Sequence, residues 1–216
     1  MRSPWPTRTI TQLMYTDQFD VVCTSGALSV YTFNSNGLYD PDQTGTGHQP
    51  LGFDQYAAQY NRYRVLATEY DVHFGNPAVS YSSLRCAVAH VNGSTVPSNP
   101  AIFEIPYSKY GVVSTYGAPL RLQGTFDLTI LNSDPQKYKI DDRYSALVTG
   151  NPAEVMYIHL AIMPNASATV RVHVRFVYHV EFYDVETPGA SLDGHPVEYC
   201  KKQYNQALKA KVQEKS

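Results

Sequence analysis

The chain has 216 residues, a formal net charge of −2 and 17% charged residues, which is below the quarter typical of soluble proteins. A chain of this length can bury a sizeable core, and all-β chains of this size are often one domain. No apolar stretch is long enough to span a bilayer, and the N-terminal residues lack a signal-peptide core. The three cysteines do not have the spacing of a disulfide framework or a metal site. We therefore expect reduced thiols, no metal and no membrane partner.

The charge is unevenly distributed along the chain. Residues 201–216 carry five lysines against one glutamate, a balance of +4, so residues 1–200 sum to −6 within the total of −2. We predict one domain over residues 1–200 followed by a basic C-terminal tail over residues 201–216. An acidic body is unusual for a nucleic-acid-binding domain, which normally presents a basic surface.

Hydrophobic periodicity predicts an all-β chain. Alternation of apolar and polar residues with a period of two is typical of half-buried strands. Such segments occur, in chain order, at residues 9–22, 27–33, 64–74, 84–91, 121–130, 154–163 and 169–183. With the turn-rich stretches between them, they indicate about eight strands. Short helices are expected only at residues 54–61, where Asp54 would cap the start, and in the tail from Glu198. The 18 tyrosines fit either a β core or an interface.

The segment over residues 169–183 has the clearest alternation. Its expected inward face consists of Val170, Val172, Val174, Phe176, Tyr178, Val180 and Phe182. Its expected outward face includes Arg171, His173, Arg175, His179 and Glu181. Because a slip of one residue would bury these polar groups, the register of the strand is strongly fixed. The segment over residues 121–130 repeats the pattern, and its expected inward residues are Leu122, Phe126, Leu128 and Ile130.

A long loop with many turn signals follows the second predicted strand. Residues 37–55 read GLYDPDQTGTGHQPLGFDQ, and Tyr56, Tyr60 and Tyr63 come directly after it. The run Asp40-Pro41-Asp42 favours a turn, and the glycines permit positive φ angles. Loops longer than about 12 residues are usually functional or become ordered on a partner.

This loop resembles the signature loop of capsid (coat) proteins from circular, Rep-encoding single-stranded DNA (CRESS DNA) viruses. The resemblance in specific letters covers residues 37–74, including Tyr60, Tyr63 and Val65, and in layout it covers nearly the whole chain. It implies an all-β, eight-stranded viral jelly roll with two packed antiparallel sheets, Greek-key connections and long inter-strand loops. It also implies self-assembly into a small T=1 icosahedral shell that encloses a circular single-stranded DNA genome.

The resemblance further implies a structural protein of the virion that assembles in the host nucleus and meets a host receptor of unknown identity. Members of the family usually begin with an Arg/Lys-rich arm that neutralises DNA. Residues 1–16 of this chain contain only Arg2 and Arg8 as basic residues. Either the arm is missing from this chain or another basic surface holds the DNA, and without an arm we expect the chain to hold little DNA.

Two sets of candidate site residues follow from these observations. Aromatic and apolar residues are typical of interfaces between copies, and the candidates are Leu38, Tyr39, Pro50, Leu51, Phe53, Tyr56 and Trp5. Cations on the phosphate backbone drive binding of single-stranded DNA, and the candidates are Arg2, Arg8, Arg171, His173, Arg175, Lys201 and Lys202. If the loop is interface surface, a Phe53→Ala, Tyr56→Ala double variant should fold but form no shells.

The sequence contains no motif for catalysis or for a cofactor. Gly45-Thr46-Gly47 is not followed by the lysine of a P-loop, and HExxH, GxSxG and CxxC motifs are absent. His173 and His179 share one strand face, and we expect them to be solvated or hydrogen-bonded rather than to bind a metal. We therefore predict a protein that is not an enzyme and binds no cofactor.

Three alternatives stay open at the level of sequence. The pairs Asp40/Asp42 and Asp141/Asp142 could bind Ca²⁺ at a subunit interface, although aspartates in turns more often cap the backbone. The chain could be a jelly-roll carbohydrate-binding module that uses exposed tyrosines. It could also be a sandwich-type glycoside hydrolase with two carboxylates in a groove. Neither of these two classes requires the loop over residues 37–55.

Overall fold

A computed structural model describes residues 6–75, 83–93, 95–114, 118–131 and 134–186. The strands in this part of the chain are β1 (Arg8–Cys23), β2 (Ser29–Asn34), β3 (Tyr60–Phe74), β4 (Ser83–Val91), β5 (Ser108–Ser114), β6 (Leu120–Asp127), β7 (Ala146–Leu147), β8 (Tyr157–Pro164) and β9 (Ala168–Val185). The helices are α1 (Phe53–Ala57), α2 (Leu128–Leu131) and α3 (Pro135–Ile140), and 3₁₀ turns lie at Ala101–Phe103 and Asp142–Tyr144. No helix among the described residues is long and apolar enough to cross a membrane.

Two antiparallel sheets contain all of these strands. The first sheet has the order β1-β9-β3-β6, with the two-residue β7 paired to β3, and the second has the order β2-β8-β4-β5. Strands that are distant in sequence are therefore neighbours in space, and most connections pass from one sheet to the other. Eight strands arranged in this way form a jelly roll, so the predicted fold class is confirmed. The predicted domain boundary at residue 200 lies outside the described residues and stays a prediction.

β9 lies at the centre of the first sheet and has the predicted register. It pairs with β1 on one side and with β3 on the other. The seven residues expected to face inward are all buried: Val170, Val172, Val174, Phe176, Tyr178, Val180 and Phe182. The alternation therefore predicted these inward residues correctly. Glu181, expected to be exposed on the outward face, is buried instead, because Arg8 and Arg64 cover it.

The two sheets are joined through aromatic side chains. Phe33 of β2, in the second sheet, lies 5.0 Å from Phe176 of β9 and 6.0 Å from Tyr15 of β1, measured between ring centroids. Several buried tyrosines donate their hydroxyl groups to backbone carbonyls, since an unpaired buried hydroxyl is costly. Tyr178, for example, donates to the carbonyl of Asn34 at 3.2 Å, and Tyr138 donates to that of Val65 at 2.7 Å. Much of the tyrosine content is therefore core.

The strand predicted over residues 121–130 is shorter than expected. β6 ends at Asp127, whose Oδ1 accepts hydrogen bonds from the backbone N–H and the hydroxyl of Thr129 at 3.0 and 2.6 Å. This side chain caps α2 and so turns the backbone from strand to helix. Leu128 is buried as predicted, but the inward orientation expected for Ile130 is wrong, since its side chain is 60% exposed.

The other boundary errors also have local causes. α1 begins at Phe53, with Gly52 at the N-cap position in a left-handed conformation (φ 91°) and no side-chain cap. Asp54 therefore lies in the first turn, and its predicted capping role is wrong. β5 and β7 were not predicted, because Gly111 interrupts the apolar pattern of β5 and β7 is too short to show a period.

A second, smaller core covers part of the outer face of the second sheet. Ile102 and Phe103 of the 3₁₀ turn pack with the small side chains of β4 and β8, which are Ala87, Ala89 and Ala161. Alanines on these strands let the turn approach the sheet closely. The loop before β5 is therefore a structural cover, whereas the first sheet keeps an open outer face of alternating polar residues.

His90 is a buried histidine on the inner face of the second sheet. Its Nε2 lies 3.1 Å from the hydroxyl of Ser35, and its ring lies 5.0 Å from that of Phe126. Burial, together with the neighbouring His159, lowers the pKa of His90 to about 4. The folded protein therefore holds this side chain neutral at pH 7.

We predict that acid destabilises the subunit through His90. The unfolded chain binds a proton on this side chain below about pH 6.5, whereas the folded chain does so only near pH 4. The free energy of unfolding should therefore fall as the pH decreases through this window, by roughly 3 kcal/mol in total for this group. Urea unfolding at several pH values, compared with a His90→Gln variant, measures the effect. Equal pH dependence in the two proteins would rule it out.

Candidate assembly and nucleic-acid surfaces

The loop between β2 and β3 lies along the open edge of the first sheet. β1 is the edge strand, and the N–H of Leu51 donates to the carbonyl of Met14 at 3.1 Å. Tyr56 adds a hydroxyl contact of 3.2 Å to Thr11. Unpaired sheet edges are sites where other chains can pair, so this loop protects the middle of β1.

The turn at the start of the loop has a buried carboxylate at its centre. Asp42 accepts hydrogen bonds from the hydroxyl of Tyr31 at 2.7 Å and from the N–H of Thr44 at 2.9 Å. Gly47 approaches so closely that a Cβ there would lie 2.7 Å from the Cβ of Asp42 and 2.9 Å from the hydroxyl of Tyr15. The run of turn residues therefore forms a packed structure. Within the described residues no group of three or more His, Cys, Asp or Glu side chains could hold a metal ion.

Three of the residues predicted to form interface surface are buried within the subunit. Leu38 and Pro50 are buried, and Phe53 is 1% exposed. The ring of Phe53 packs 5.5 Å from that of Tyr63 and 6.2 Å from that of Phe182. The interpretation of these three as surface is wrong, because the loop folds back on the subunit and adds Leu38 and Phe53 to the main core between the sheets. Because Phe53 is buried, the Phe53→Ala, Tyr56→Ala variant also removes core packing, so its effect on shells would not report on the interface alone.

The other candidates of the loop do present surface. Tyr39 is 45% exposed and Leu51 is 85% exposed. Tyr56 is half-buried, with its ring stacked on that of Phe182 at 4.9 Å. Trp5 lies outside the described residues, as do the DNA candidates Arg2, Lys201 and Lys202. Whether any of these residues contacts another copy stays a prediction.

An exposed apolar strip, missed from the sequence, extends the surface of Leu51. It consists of Leu51 and Met14 and, beyond the polar Gln12 on the same face of β1, Ile10, and all three apolar residues are exposed. Met14 and Leu51 are antiparallel bridge partners, so their side chains lie on the same face. The signal was present in the sequence, since apolar residues at 10 and 14 interrupt the polar face of the first strand.

The candidate DNA-binding cations of β9 and β1 differ in whether a nearby carboxylate neutralises their charge. Arg171 makes a two-pronged ion pair with Asp20 of β1, at 2.8 and 2.9 Å, and hydrogen bonding from this guanidinium lowers the pKa of the Asp20 carboxyl. Arg8 lies 2.9 Å from Glu181, a buried carboxylate that is also 3.8 Å from the buried Arg64. Both Arg8 and Arg171 are therefore paired with carboxylates, and whether either of them contacts DNA stays a prediction.

Arg175 differs from Arg8 and Arg171 because its charge is not paired with a carboxylate among the described residues. It is exposed on β9 and has no ion pair or hydrogen bond with the side chains that the structure describes. With Lys109 of β5 it lines an open depression of about 460 Å³ whose other lining residues are mostly polar. Of the predicted DNA contacts that the structure describes, Arg175 therefore has the cation most available to a phosphate. Lys109 was not found from the sequence, because its strand was not predicted.

His173 is exposed beside a second histidine. It lies opposite Gln18 of β1 and His73 of β3 in the strand register. His179, on the same face of β9, lies 2.7 Å from Glu69, so it is hydrogen-bonded as expected. The structure therefore brings together a histidine pair from two strands, which no spacing within one strand could reveal.

No protein-family model matches this chain, and no curated protein sequence matches it. Among solved structures, it is similar to a chain of tobacco necrosis virus, with 10% identity over 85% of this chain and 86% of that chain and a TM-score of 0.52. At this identity the likeness shows the fold. The protein therefore has the jelly-roll fold of a chain in a known virus.

The chain also aligns with two crystal structures of the BFDV capsid protein. For the 60-mer the identity is 13% over 87% of this chain and all of that chain, with a TM-score of 0.45. For the decamer the identity is 12% over 81% of this chain and 99% of that chain, with a TM-score of 0.46. Both scores are below 0.5, so the fold assignment rests on the tobacco necrosis virus chain.

We predict that Phe53→Ala and Leu51→Ala have very different effects on stability. Truncating the buried ring should lower the free energy of unfolding by about 3–5 kcal/mol, whereas truncating the exposed leucine should change it by less than about 0.5 kcal/mol. Urea unfolding of the two variants, under conditions where the protein is monomeric, measures both. Similar losses in the two variants would contradict the assignment of Phe53 to the core.

A further prediction concerns His48, whose two ring nitrogens both face backbone carbonyls. Nδ1 lies 2.8 Å from the carbonyl of Gln49, and Nε2 lies 3.0 Å from that of Thr16. Only a protonated imidazole can donate to both, and the hydrogen bond to Gln49 is the largest cause that raises the pKa of His48. A raised folded-state pKa means that the stabilisation is complete at low pH and is lost as the pH rises through that pKa.

The stability difference between the wild type and His48→Gln should therefore decrease from pH 5.5 to pH 8.5. Chemical unfolding of the two proteins side by side cancels the contribution of His90, which both retain. A difference that does not change with pH would show that His48 does not need its proton for these contacts.

Proposed function

We propose that this protein is the structural capsid subunit of a CRESS DNA virus, and that its copies assemble into a small icosahedral shell, T=1, around single-stranded DNA. The observation that carries the proposal is the loop over residues 37–55, whose letters resemble the family's signature. Its ordered packing on the edge strand of a viral jelly roll supports the same function. The protein is then a virion component that is assembled in the host nucleus and has no enzymatic activity.

Assembly would use the apolar strip. Leu51, Met14 and Ile10 expose apolar side chains on one face. Removing such surface from water by contact with a second copy lowers the free energy of the assembly. Contacts of modest size are sufficient in a closed shell, because symmetry repeats each contact many times and every subunit is held by all of its neighbours at once. Tyr39 at the start of the loop would contribute to the same kind of contact.

DNA would lie against the outer face of the first sheet. Arg175 and His173 are exposed there, and Lys109 lies nearby. The acidic carboxylates on the same face keep its charge low, so binding by this surface alone is expected to be weak and sensitive to salt. A basic arm or the lysines at 201 and 202 would strengthen it.

The alternative of a jelly-roll carbohydrate-binding module is less well supported. It predicts a stable monomer with a glycan-binding face, and the aligned solved structure is that of a virus. The exposed strip of apolar side chains around Leu51 is also better suited to a protein partner than to a sugar.

We expect the purified chain to form uniform small spheres in negative-stain electron microscopy, and Leu51→Glu to prevent them. A charge at the centre of the apolar strip would have to be buried without a partner, while the subunit itself should fold with an unchanged melting temperature. Ile140→Glu is the matched control, because Ile140 is an exposed apolar residue of α3, outside the strip.

Two results would count against the proposal. Wild-type yields of spheres from Leu51→Glu would remove the strip from the assembly contacts. A wild-type protein that stays monomeric at every pH, salt and protein concentration would contradict the capsid function itself and favour a glycan-binding screen.

A further inference from the structure

A row of four side chains crosses the outer face of the first sheet. β1 contributes Gln18, β9 His173, β3 His73 and β6 Arg121, each in register with the next. His173 is exposed and the side chain of His73 is 44% exposed. Because neighbouring strands lie about 5 Å apart, the two imidazoles are side by side at a surface that is open to solvent.

The charged groups that face this histidine pair almost cancel one another. The adjoining cations are Arg121, Arg171 and Arg175, and the adjoining carboxylates are Asp20 and Asp71. Asp71 accepts from Arg121 at 2.8 and 2.7 Å and lies 3.1 Å from Nε2 of His73. Asp20 is paired with Arg171. Three cations against two carboxylates leave one net positive charge, that of Arg175.

The more distant charged groups of this face are mostly acidic. Glu69, farther along the face, lies 2.7 Å from His179, a contact that is an ion pair only when the histidine is protonated. Lys109 and Asp17 have opposite charges, and Asp17 lines the same depression as His173. Asp127 of β6 keeps its negative charge, because its hydrogen bonds to Thr129 come from uncharged groups. The net charge around the row is therefore small, so protons added to its two histidines make a large difference.

Protonation of both rings would add two positive charges to the row, and histidine is the side chain that ordinarily changes charge between pH 5 and 8. Two added protons raise the net charge beside the row from one to three. Like charges directly opposite each other across two strands repel, and an anion placed over both rings removes that repulsion. Proton uptake and anion binding should therefore favour each other.

We infer that the His73–His173 pair forms a pH-dependent binding site for the phosphate backbone of single-stranded DNA, weak above neutral pH and strong below it. The inference rests on the proposed function. It adds where on the subunit the DNA binds and that pH controls the binding. A backbone is the expected partner because the row offers cations in a line and, apart from the two imidazoles themselves, no aromatic ring on which a base could stack.

Fluorescence anisotropy of a labelled oligothymidylate tests the inference at pH 5.5 and pH 8.0. The wild type should bind at least about tenfold more tightly at pH 5.5. Its slope of log Kd against log salt concentration should also become steeper by about 1.4, because each phosphate neutralised on a single strand contributes about 0.7. Binding that is equally tight at both pH values would overturn the inference.

Three variants separate the histidine pair from general effects of acid. His73→Gln with His173→Gln keeps polar side chains in the row but cannot gain charge, and it should lose the tenfold gain. His73→Lys with His173→Lys carries the charge permanently and should bind at pH 8.0 as tightly as the wild type does at pH 5.5. His48→Gln removes an exposed histidine outside the row and should keep the full pH dependence.

The outcomes also separate this inference from the proposed function. A glutamine variant that keeps the pH dependence would overturn the inference, even if spheres form normally in the electron microscope. No binding by the wild type at either pH would overturn it as well, together with the proposal that the first sheet holds DNA. Shell formation is scored independently, so failure there would count against the capsid function alone.

Discussion

The structure depends on the pairing of β9 between β1 and β3. This strand of 18 residues pairs along most of its length with both neighbours, and every second side chain enters the core. Because the side-chain period is two, a shift of one residue would bury Arg171, His173 and Arg175 and expose the apolar set. The same constraint therefore fixes the core, the order of the first sheet and the identity of its outer face.

The outer face of the first sheet combines two surfaces of different chemistry. Toward one end lie Ile10, Met14 and Leu51, which suit contact with a second protein surface. Toward the other end lies the row with His73 and His173, which suits an anion. The outer face of the second sheet, in contrast, is partly covered by the turn at Ala101–Phe103. The apolar strip and the histidine row therefore lie on different rows of the same sheet.

The loop over residues 37–55 shows why a motif can predict exposed apolar residues correctly as a class but not residue by residue. Its aromatic and apolar residues predicted an interface, and Leu51 and Tyr39 are indeed exposed. Leu38 and Phe53 are buried instead, because they pack into the main core between the sheets and so hold the loop against the subunit. Hydropathy shows that a residue is apolar, but it does not show which apolar residues of a loop face inward.

The sequence alone determined what depends on local period and composition: the all-β class, the inward residues of β9, most strand positions and the turn-forming nature of the loop. It could not determine where β6 stops, since the cap by Asp127 competes with an apolar pattern that continues to Ile130. Only the tertiary structure decided that Arg171 is neutralised by Asp20 and that His73, 100 residues away in the chain, lies opposite His173. The reason is physical: alternation fixes the face of a side chain within its own strand, whereas its neighbours are set by long-range pairing between strands, which leaves no period in the sequence.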